Sequence, residues 1–285
     1  MAAFLRIAGG ALDLACPAVV GILNVTPDSF SDGGELATSA AVIDRAAAMV
    51  GDGADVLDIG GESTRPGAAT VSVDEELTRV LPAIEAIANR FTIPISIDTR
   101  RAVVAARSLT AGARLVNDVS GFGDPAMGSV VAKAGAGWIL MHMPHDVGAM
   151  CWSTRTEGMP SGVVEGLQTA ASALQLRVEA AEEAGVDRSQ LAIDPGIGFG
   201  KSQVQNLGFL RGFGPVAKLD LPILVGPSRK SFLGNVTGKP PGQRVFGTAA
   251  AVTAAVLAGA VLIRVHDVAA MRDVVDVAHA IKTAH

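Results

Sequence analysis

The chain has 285 residues, of which 49% are hydrophobic and 18% are charged, and its formal net charge is −5 at pH 7. This composition can fill a large core, and the length suits one α/β barrel of about 250 residues as well as two smaller domains. The acidic balance and the interspersed charges argue against a nucleic-acid-binding or anionic-membrane surface, but they allow a local basic pocket.

Cysteine usage and the apolar segments bear on location. The two cysteines, Cys16 and Cys151, are too few for a disulfide framework and suit a reducing compartment. Residues 1–10 carry one arginine and no long apolar stretch, so we expect no secretory signal. A buried helix followed by a strand explains the apolar segment 248–263 better than a membrane span does. The sequence therefore predicts a cytoplasmic protein.

Eight short apolar runs, each ending in polar residues, recur along the chain. They are rich in β-branched residues and lack polar alternation, which is typical of parallel strands buried on both faces. The runs are Val19–Thr26, Val56–Ser63, Pro94–Thr99, Leu115–Ser120, Trp138–Met143, Leu191–Pro195, Pro222–Ser228 and Val261–Asp267.

Helical patterns separate these runs. Apolar stripes at Val42–Val50 and Val163–Ala181 indicate amphipathic helices. The S-x-x-E pattern at Ser72–Glu75 predicts a capping box, and Asp124-Pro125 predicts an N-cap followed by a first-turn proline. Pro82 falls inside a helical pattern, where we expect a kink or a helix restart. Eight strand-then-helix units predict the α/β class, as a single (β/α)8 TIM barrel that spans residues 1–285.

The active site of such a barrel forms at the C-terminal ends of its strands. Each predicted strand ends in at least one polar group, and these groups are Asn24, Asp58, Glu62, Asp98, Asn117, Asp118, His142, Asp194, Ser228, Arg229, Lys230, Arg264 and His266. Taken singly, several have a structural explanation: His142 as a core histidine, Asp98-Thr99 as a helix cap, Asn117-Asp118 as a turn. Together they predict a site, because polar groups in a barrel mouth are costly unless they are paired or used.

The mixture of groups indicates the kind of ligand. Asp98, Asn117 and Asp194 suit the N–H donors and carbonyl of an amino-pyrimidinone heterocycle. Four other groups suit a phosphorylated substituent, with cations offsetting its charge, and they are Asn24, Lys230, Arg264 and His266. We therefore expect a polar heterocycle with an anionic tail.

The glycine-rich segment Gly196–Ser202 resembles the end of a P-loop, but Pro195 stands where that motif requires glycine. Its G-x-G-x-G spacing also departs from the dinucleotide-binding fingerprint. We expect these glycines to let the loop approach a ring closely. The chain has no H-E-x-x-H motif, no nucleophile elbow and no context for a cysteine nucleophile.

Seven strings resemble the signatures of dihydropteroate synthases, in family order and over about residues 18–280. They are GILNVTPDSFSDGG (Gly21–Gly34), DIGGESTRPGA (Asp58–Ala68), SIDT (Ser96–Thr99), NDVSG (Asn117–Gly121), DPGIGFGK (Asp194–Lys201), GPSRKSFLG (Gly226–Gly234) and RVHDV (Arg264–Val268). The resemblance implies condensation of 6-hydroxymethyl-7,8-dihydropterin diphosphate with p-aminobenzoate in folate biosynthesis. It also implies a Mg2+ cofactor, a homodimer and a target of sulfonamides.

The resemblance further implies a role for each matched residue. The pterin would be held by Asp98, Asn117, Met141, Asp194, Phe199 and Lys230, and the diphosphate by Asn24, Arg264 and His266. Thr64, Arg65, Pro66, Phe199 and Ser231 would form the p-aminobenzoate site. Asn24 would ligate Mg2+, and the loop Thr26–Gly34 with Asp32 would close over the substrates. The groups expected at the chemical step are Asp98, Lys230, Arg264 and His266.

Two segments depart from the family pattern, Pro144–Met150 and Gln205-Asn206. Two alternatives also stay open: a methyltetrahydrofolate-dependent corrinoid methyltransferase and a non-catalytic pterin-binding paralogue. The first has no need of the Ser228–Ser231 segment or the diphosphate groups. The second is expected to lose those groups first, yet they are present. An assay for diphosphate release with both substrates separates the three.

Overall fold

The computed structural model describes residues 4–26, 39–63, 70–144 and 162–284. A two-stranded antiparallel hairpin opens this part of the chain, with β1 at Phe4–Ile7 and β2 at Gly10–Asp13. Eight parallel strands follow: β3 (Ala18–Asn24), β4 (Val56–Gly60), β5 (Ile95–Asp98), β6 (Leu115–Asp118), β7 (Gly137–Met141), β8 (Leu191–Asp194), β9 (Leu224–Val225) and β10 (Leu262–Val265). Each of the eight predicted runs overlaps one of these strands, and β3 and β7 begin one residue before the run.

The strands are ordered β8-β7-β6-β5-β4-β3-β10-β9. A parallel bridge between Ile193 and Ile223 brings the chain before β9 against β8 and closes the ring. The helices around it are α1 (Ser39–Gly51), α2 (Val73–Ala88), α3 (Ala102–Ala111), α4 (Met127–Ala134), α5 (Val163–Glu183), α6 (Gln203–Arg211), α7 (Ser231–Thr237), α8 (Val245–Ala258) and α9 (Val268–Thr283). The prediction of a (β/α)8 barrel is confirmed.

The hairpin β1–β2 was not predicted from the sequence. Leu5 and Leu12 are buried in a cluster with Leu115, Ile139 and Leu262, which lie near the start or middle of barrel strands. The hairpin therefore covers the N-terminal end of the barrel, and the opposite end is left for substrates.

Three local predictions need correction or refinement. The Ser72 hydroxyl accepts a hydrogen bond from the Glu75 N–H at 3.1 Å, as expected of an N-cap, but the Glu75 carboxylate pairs with Arg79. Helix α2 runs continuously through Pro82, where we expected a kink or a restart, so the helix does not restart there. Asp124 is not the N-cap of α4.

Ala126 is the N-cap of α4, because Pro125 and Ala126 form a turn that Asp124 stabilises. One Asp124 carboxylate oxygen accepts from the Ala126 N–H at 3.0 Å. The other accepts at 2.8 Å from the N–H of Ala102, the first residue of α3.

The segment 248–263 forms most of α8 and the start of β10, as predicted. Within the described ranges, no helix combines the length and the apolar character that crossing a bilayer requires. Cys16 is exposed and its thiol is free. Cys151 lies outside the described residues.

Candidate active site

The register of the barrel brings the predicted residues to one rim. Asn24 pairs with Gly60, which pairs with Asp98, which pairs with Asn117 across β3 to β6. Further around, Met141 pairs with Asp194. Because these residues stand at the C-terminal ends of their strands, and paired residues of parallel strands point to the same side of the sheet, they face one mouth of the barrel.

Arg264 lies at the centre of this mouth, between two carboxylates. Its Nε donates to Asp58 Oδ2 at 2.6 Å, and its Nη2 donates to Asp98 Oδ2 at 2.7 Å. Asn117 Nδ2 donates to the same Asp58 oxygen at 3.1 Å. Asp58 thus orients a predicted diphosphate residue and a predicted pterin residue.

Asp58 is absent from the set of site residues derived from the family, although its place at the end of a strand was noticed. It is fully buried, and its Oδ1 has no hydrogen-bond partner among the described residues. The signal in the sequence was a lone carboxylate inside the otherwise apolar run VLDIG of β4. Such a buried charge needs a compensating cation, which here is Arg264.

Burial raises the pKa of Asp98 to about 7, against the opposing effect of Arg264 and with help from the negative charge of Asp58. Burial alone would lower the pKa of Arg264, but Asp58 and Asp98 reverse that effect and raise it. The guanidinium is therefore permanently charged, whereas Asp98 exchanges a proton near neutral pH.

A second group of residues lines the β8 side of the mouth. Asp194 Oδ1 accepts from the Gly196 N–H at 2.6 Å, and burial raises the pKa of Asp194 to about 6. Lys230 Nζ lies 3.4 Å from the centroid of the Phe199 ring, a cation–π contact. The ring also packs against Val119, Met141 and Met143. This wall offers an acceptor and a flat apolar surface to a planar ligand.

The segment after β9 carries two cations, Arg229 and Lys230, which contact different partners. Arg229, with a φ of 58°, turns away to pair with Asp267, while Lys230 reaches Phe199. Ser228 Oγ lies 2.9 Å from His266 Nδ1 and accepts from the His266 backbone N–H at 3.2 Å. A hydroxyl that donates to Nδ1 places the proton of a neutral His266 on Nε2.

Some strand-end residues have the structural roles that we considered. Asp118 shapes a turn, accepting from the N–H groups of Ser120 at 2.9 Å and Phe122 at 2.8 Å. The helix cap considered for Asp98-Thr99 is wrong, because the N-cap of α3 is Arg101; the Thr99 hydroxyl donates to Glu76 at 2.7 Å instead. His142 is buried, and burial chiefly lowers its pKa to about 2, so it is a neutral core histidine.

Ser231 begins α7 directly after Lys230, and Glu62 pairs with Arg100 and Arg101. Four predicted residues lie outside the described part of the chain: Asp32, Thr64, Arg65 and Pro66. Lys201, to which the sequence analysis assigns no role, proves to be a buried cation whose charge acts on Asp194. Its signal was a lysine closing the family string DPGIGFGK.

Comparisons with known proteins agree with this geometry. The model of the family described as "Pterin binding enzyme" matches residues 20–266. The chain is 46% identical to the dihydropteroate synthase of Synechocystis, over 92% of this chain and 89% of that protein. It is 40% identical to the dihydropteroate synthase of Escherichia coli, over 91% and 90%.

Solved structures give the same result. Dihydropteroate synthase of Xanthomonas albilineans with 4-aminobenzoic acid superposes with a TM-score of 0.90, at 42% identity and covering 100% of both chains. The complex of the Xanthomonas enzyme with 7,8-dihydropteroate superposes at 0.85, with 40% identity and 98% and 100% coverage. A Yersinia pestis dihydropteroate synthase in complex with a sulfonamide drug superposes at 0.89, with 40% identity and 99% and 100% coverage. This chain belongs to the dihydropteroate synthase family of pterin-binding transferases.

Proposed function

We propose that this transferase condenses 6-hydroxymethyl-7,8-dihydropterin diphosphate with p-aminobenzoate, giving 7,8-dihydropteroate and diphosphate. The observation that carries the proposal is a mouth with ring acceptors on one side and fixed cations on the other. Asp194 and Lys230 lie on the β8 side, and Arg264 rises from β10 with its guanidinium held by two carboxylates. The Xanthomonas complexes support the proposal, because they contain the proposed second substrate, 4-aminobenzoic acid, and the proposed product, 7,8-dihydropteroate.

The pterin ring is assigned to Asp98, Asn117, Met141, Asp194, Phe199 and Lys230. Asp194 accepts from the ring's amino and N–H groups, because an ionised carboxylate offers only acceptors, on both of its oxygens. Met141 and Phe199 share one apolar cluster and offer a face for the ring. Lys230, held over Phe199, brings positive charge to the edge of this site.

The diphosphate is assigned to Asn24, Arg264 and His266. In the reaction, the bond between the pterin methylene carbon and the diphosphate oxygen breaks, and its electron pair leaves with the diphosphate. Arg264 and the Nε2 proton of His266 stabilise the charge that develops there. Asp98, close to Arg264, stabilises the cation left on the electron-rich pterin. The amine nitrogen of p-aminobenzoate then forms the new bond to carbon and loses a proton.

The residues of the mouth fit a Mg2+ ion that is held mainly by the substrate. Among the described residues, no group of three or more His, Cys, Asp or Glu side chains could hold a metal. Asn24 offers a hard amide oxygen, which lies 3.3 Å from where a Cβ on Gly60 would stand. Mg2+ bound by the diphosphate and Asn24 would add positive charge at the leaving group.

The p-aminobenzoate site is assigned to Thr64, Arg65, Pro66, Phe199 and Ser231, with Asp32 in a closing loop. The contact of Phe199 with Lys230 supports the described part of this assignment, because it places an aromatic face next to a cation. Such a pair suits an aromatic ring that carries a carboxylate.

Steady-state release of diphosphate tests the proposal. Purified protein with both substrates and Mg2+ should release diphosphate, and omission of either substrate should reduce that release to background. A non-catalytic pterin-binding paralogue would bind the pterin without release. A corrinoid methyltransferase would instead demethylate methyltetrahydrofolate.

We also propose that residues 1–285 form one domain, that two copies form a homodimer, and that the protein is cytoplasmic. The helices α8 and α9 support the dimer with exposed apolar side chains, Phe246, Leu257, Val277 and Ile281. Sedimentation of wild type and Phe246→Asp tests the assembly, and a monomeric wild type would contradict it.

A further inference from the structure

Lys201 is a buried lysine for which the proposed reaction has no use. Its residue is only 3% exposed, and lysine is almost never this buried unless it is paired. Its ammonium donates to the Phe199 carbonyl at 3.1 Å and to the His142 carbonyl at 3.3 Å. Lys201 therefore ties the loop after β8 to the end of β7.

The local backbone is built to bring this ammonium close to Asp194. Gly196, with a φ of 72°, donates its N–H to Asp194 Oδ1 at 2.6 Å. A Cβ on Gly196 would lie 2.1 Å from the His142 carbonyl oxygen and 3.0 Å from Lys201 Nζ. Only glycine leaves room for the carboxylate, the turn and the ammonium to pack together.

The same loop is already held by a second, uncharged side chain. Asn206 Oδ1 accepts from the Gly198 N–H at 2.6 Å, and its Nδ2 donates to the Lys201 carbonyl at 3.1 Å. The uncharged side chain of Asn206 therefore stabilises the loop by itself. A buried positive charge is not needed for that purpose, which points to an electrostatic role.

The charged groups around Lys201 define that role. Burial raises the pKa of Asp194 to about 6, and the positive charges of Lys230, Lys201 and Arg264 oppose the rise. Burial lowers the pKa of Lys201 itself to about 7, with Asp194 opposing and Lys230 adding to the effect. His142, whose carbonyl Lys201 contacts, is neutral because its own pKa is far below 7. Asp194 is the ionisable neighbour that the charge of Lys201 favours in its ionised form, together with the larger effects of the Gly196 N–H and of Lys230.

We propose that Lys201 is a positioning residue for pterin recognition, and that its buried charge keeps Asp194 ionised to accept the N–H donors of the ring. The inference rests on the proposed assignment of Asp194 to the pterin. An opposite charge nearby lowers the pKa of a carboxyl by about one unit or more. Loss of the Lys201 charge should therefore move the titration of Asp194 upward by about one pH unit.

A calorimetric titration with 6-hydroxymethyl-7,8-dihydropterin between about pH 5 and pH 8.5 tests this. In wild type, affinity should fall on acidification as Asp194 becomes protonated. In Lys201→Gln, which keeps a neutral donor, a rise of one unit reduces the ionised fraction at about pH 6 from roughly one half to one tenth. Affinity should be about fivefold weaker there and should recover near pH 8.

Two further variants complete the design. Lys201→Arg keeps the charge and should keep the pH dependence of wild type. Lys133→Met removes an exposed lysine on α4 and should change nothing. If Lys201→Gln does not fold, as judged by thermal melting, Lys201→Met takes its place in the same titration.

Each outcome decides the proposal. A loss of affinity confined to low pH supports it. An equal loss at every pH would overturn it, because Lys201 would then act only through loop geometry, and so would an unchanged affinity. Failure of the wild type to bind the pterin would instead refute the proposed function on which the inference rests.

Discussion

Removal of the Asp58 carboxylate should misplace Arg264 and Asn117 and thereby lower both stability and activity. Asp58 is fully buried and accepts from Arg264 Nε at 2.6 Å and from Asn117 Nδ2 at 3.1 Å. Breaking a buried ion pair by deleting one partner costs about 3–5 kcal/mol. Since Arg264 keeps its contact with Asp98 at 2.7 Å, we expect Asp58→Ala to cost about 3 kcal/mol, near the lower end of that range.

The comparison with Asp58→Asn separates charge from shape. Asparagine keeps an oxygen that can accept from Arg264, so the variant should lose about 1–2 kcal/mol, the difference between a charged and a neutral hydrogen bond. For a domain of this size, 1 kcal/mol corresponds to roughly 2–4 °C in melting temperature. We therefore expect Asp58→Ala to melt roughly 6–12 °C below wild type.

Calorimetric melting measures the loss of stability, and diphosphate-release kinetics measure the loss of activity. Asp58→Ala should also lower kcat/KM at least about tenfold, because a misplaced catalytic group of this kind costs more than about 1.4 kcal/mol. Asp276→Ala is the matched control, since Asp276 pairs with Arg272 at the surface, where such pairs contribute about 0–1 kcal/mol. If Asp58→Ala behaves like Asp276→Ala in both assays, Arg264 is not held as we describe.

Three further predictions concern the ligands. Chelation of divalent metal should abolish turnover while circular dichroism shows an intact fold, and full activity in excess chelator would exclude the metal assigned to Asn24. Asp194→Ala should weaken pterin binding at least about tenfold, because losing one partner of a buried charged hydrogen bond costs about 2–5 kcal/mol. An unchanged calorimetric dissociation constant for that variant would refute the pterin assignment. Binding should also be ordered, because p-aminobenzoate is assigned partly to two Gly/Pro/Ser-rich segments, Thr26–Gly34 and Ser63–Gly67. Most of both segments lies outside the described residues, and we expect the diphosphate and Mg2+ at Asn24 to anchor the first of them before p-aminobenzoate binds. Equal affinity for p-aminobenzoate with and without pterin and diphosphate would show a preformed site.

The barrel could be predicted because its strands are buried on both faces. Strands such as β4, in which every residue is buried, leave unbroken apolar runs that the sequence displays directly. The hairpin β1–β2 leaves a weaker signal. Each of its strands has four residues, and β1 alternates between exposed and buried positions only twice. Two repeats are too few to distinguish a strand from chance, even with the Ala8-Gly9 turn.

The sequence predicted which residues form the site, but it did not predict which of them pair with one another. The rule that strands end at one rim was enough to bring Asn24, Asp98 and Asp194 together. Which cation faces which carboxylate depends on the pleat and on local backbone angles. Arg264 pairs with Asp58 over a separation of 206 positions, and neighbours such as Arg229 and Lys230 point to different partners. Periodicity carries no information about either choice.

The pairing of Arg264 with two carboxylates is compatible with its assignment to the diphosphate. A guanidinium has five N–H donors in a rigid, planar fork. The bonds to Asp58 and Asp98 use one N–H on Nε and one on Nη2, so the remaining donors suffice for a phosphate oxygen. The carboxylates then fix the plane of the fork before the substrate arrives, and binding requires no reorganisation of the cation. A lysine could not hold this arrangement, because its ammonium is a point charge without a fixed plane. Preorganisation of Arg264 thus requires the buried charge of Asp58, whose Oδ1 has no hydrogen-bond partner within the described part of the chain.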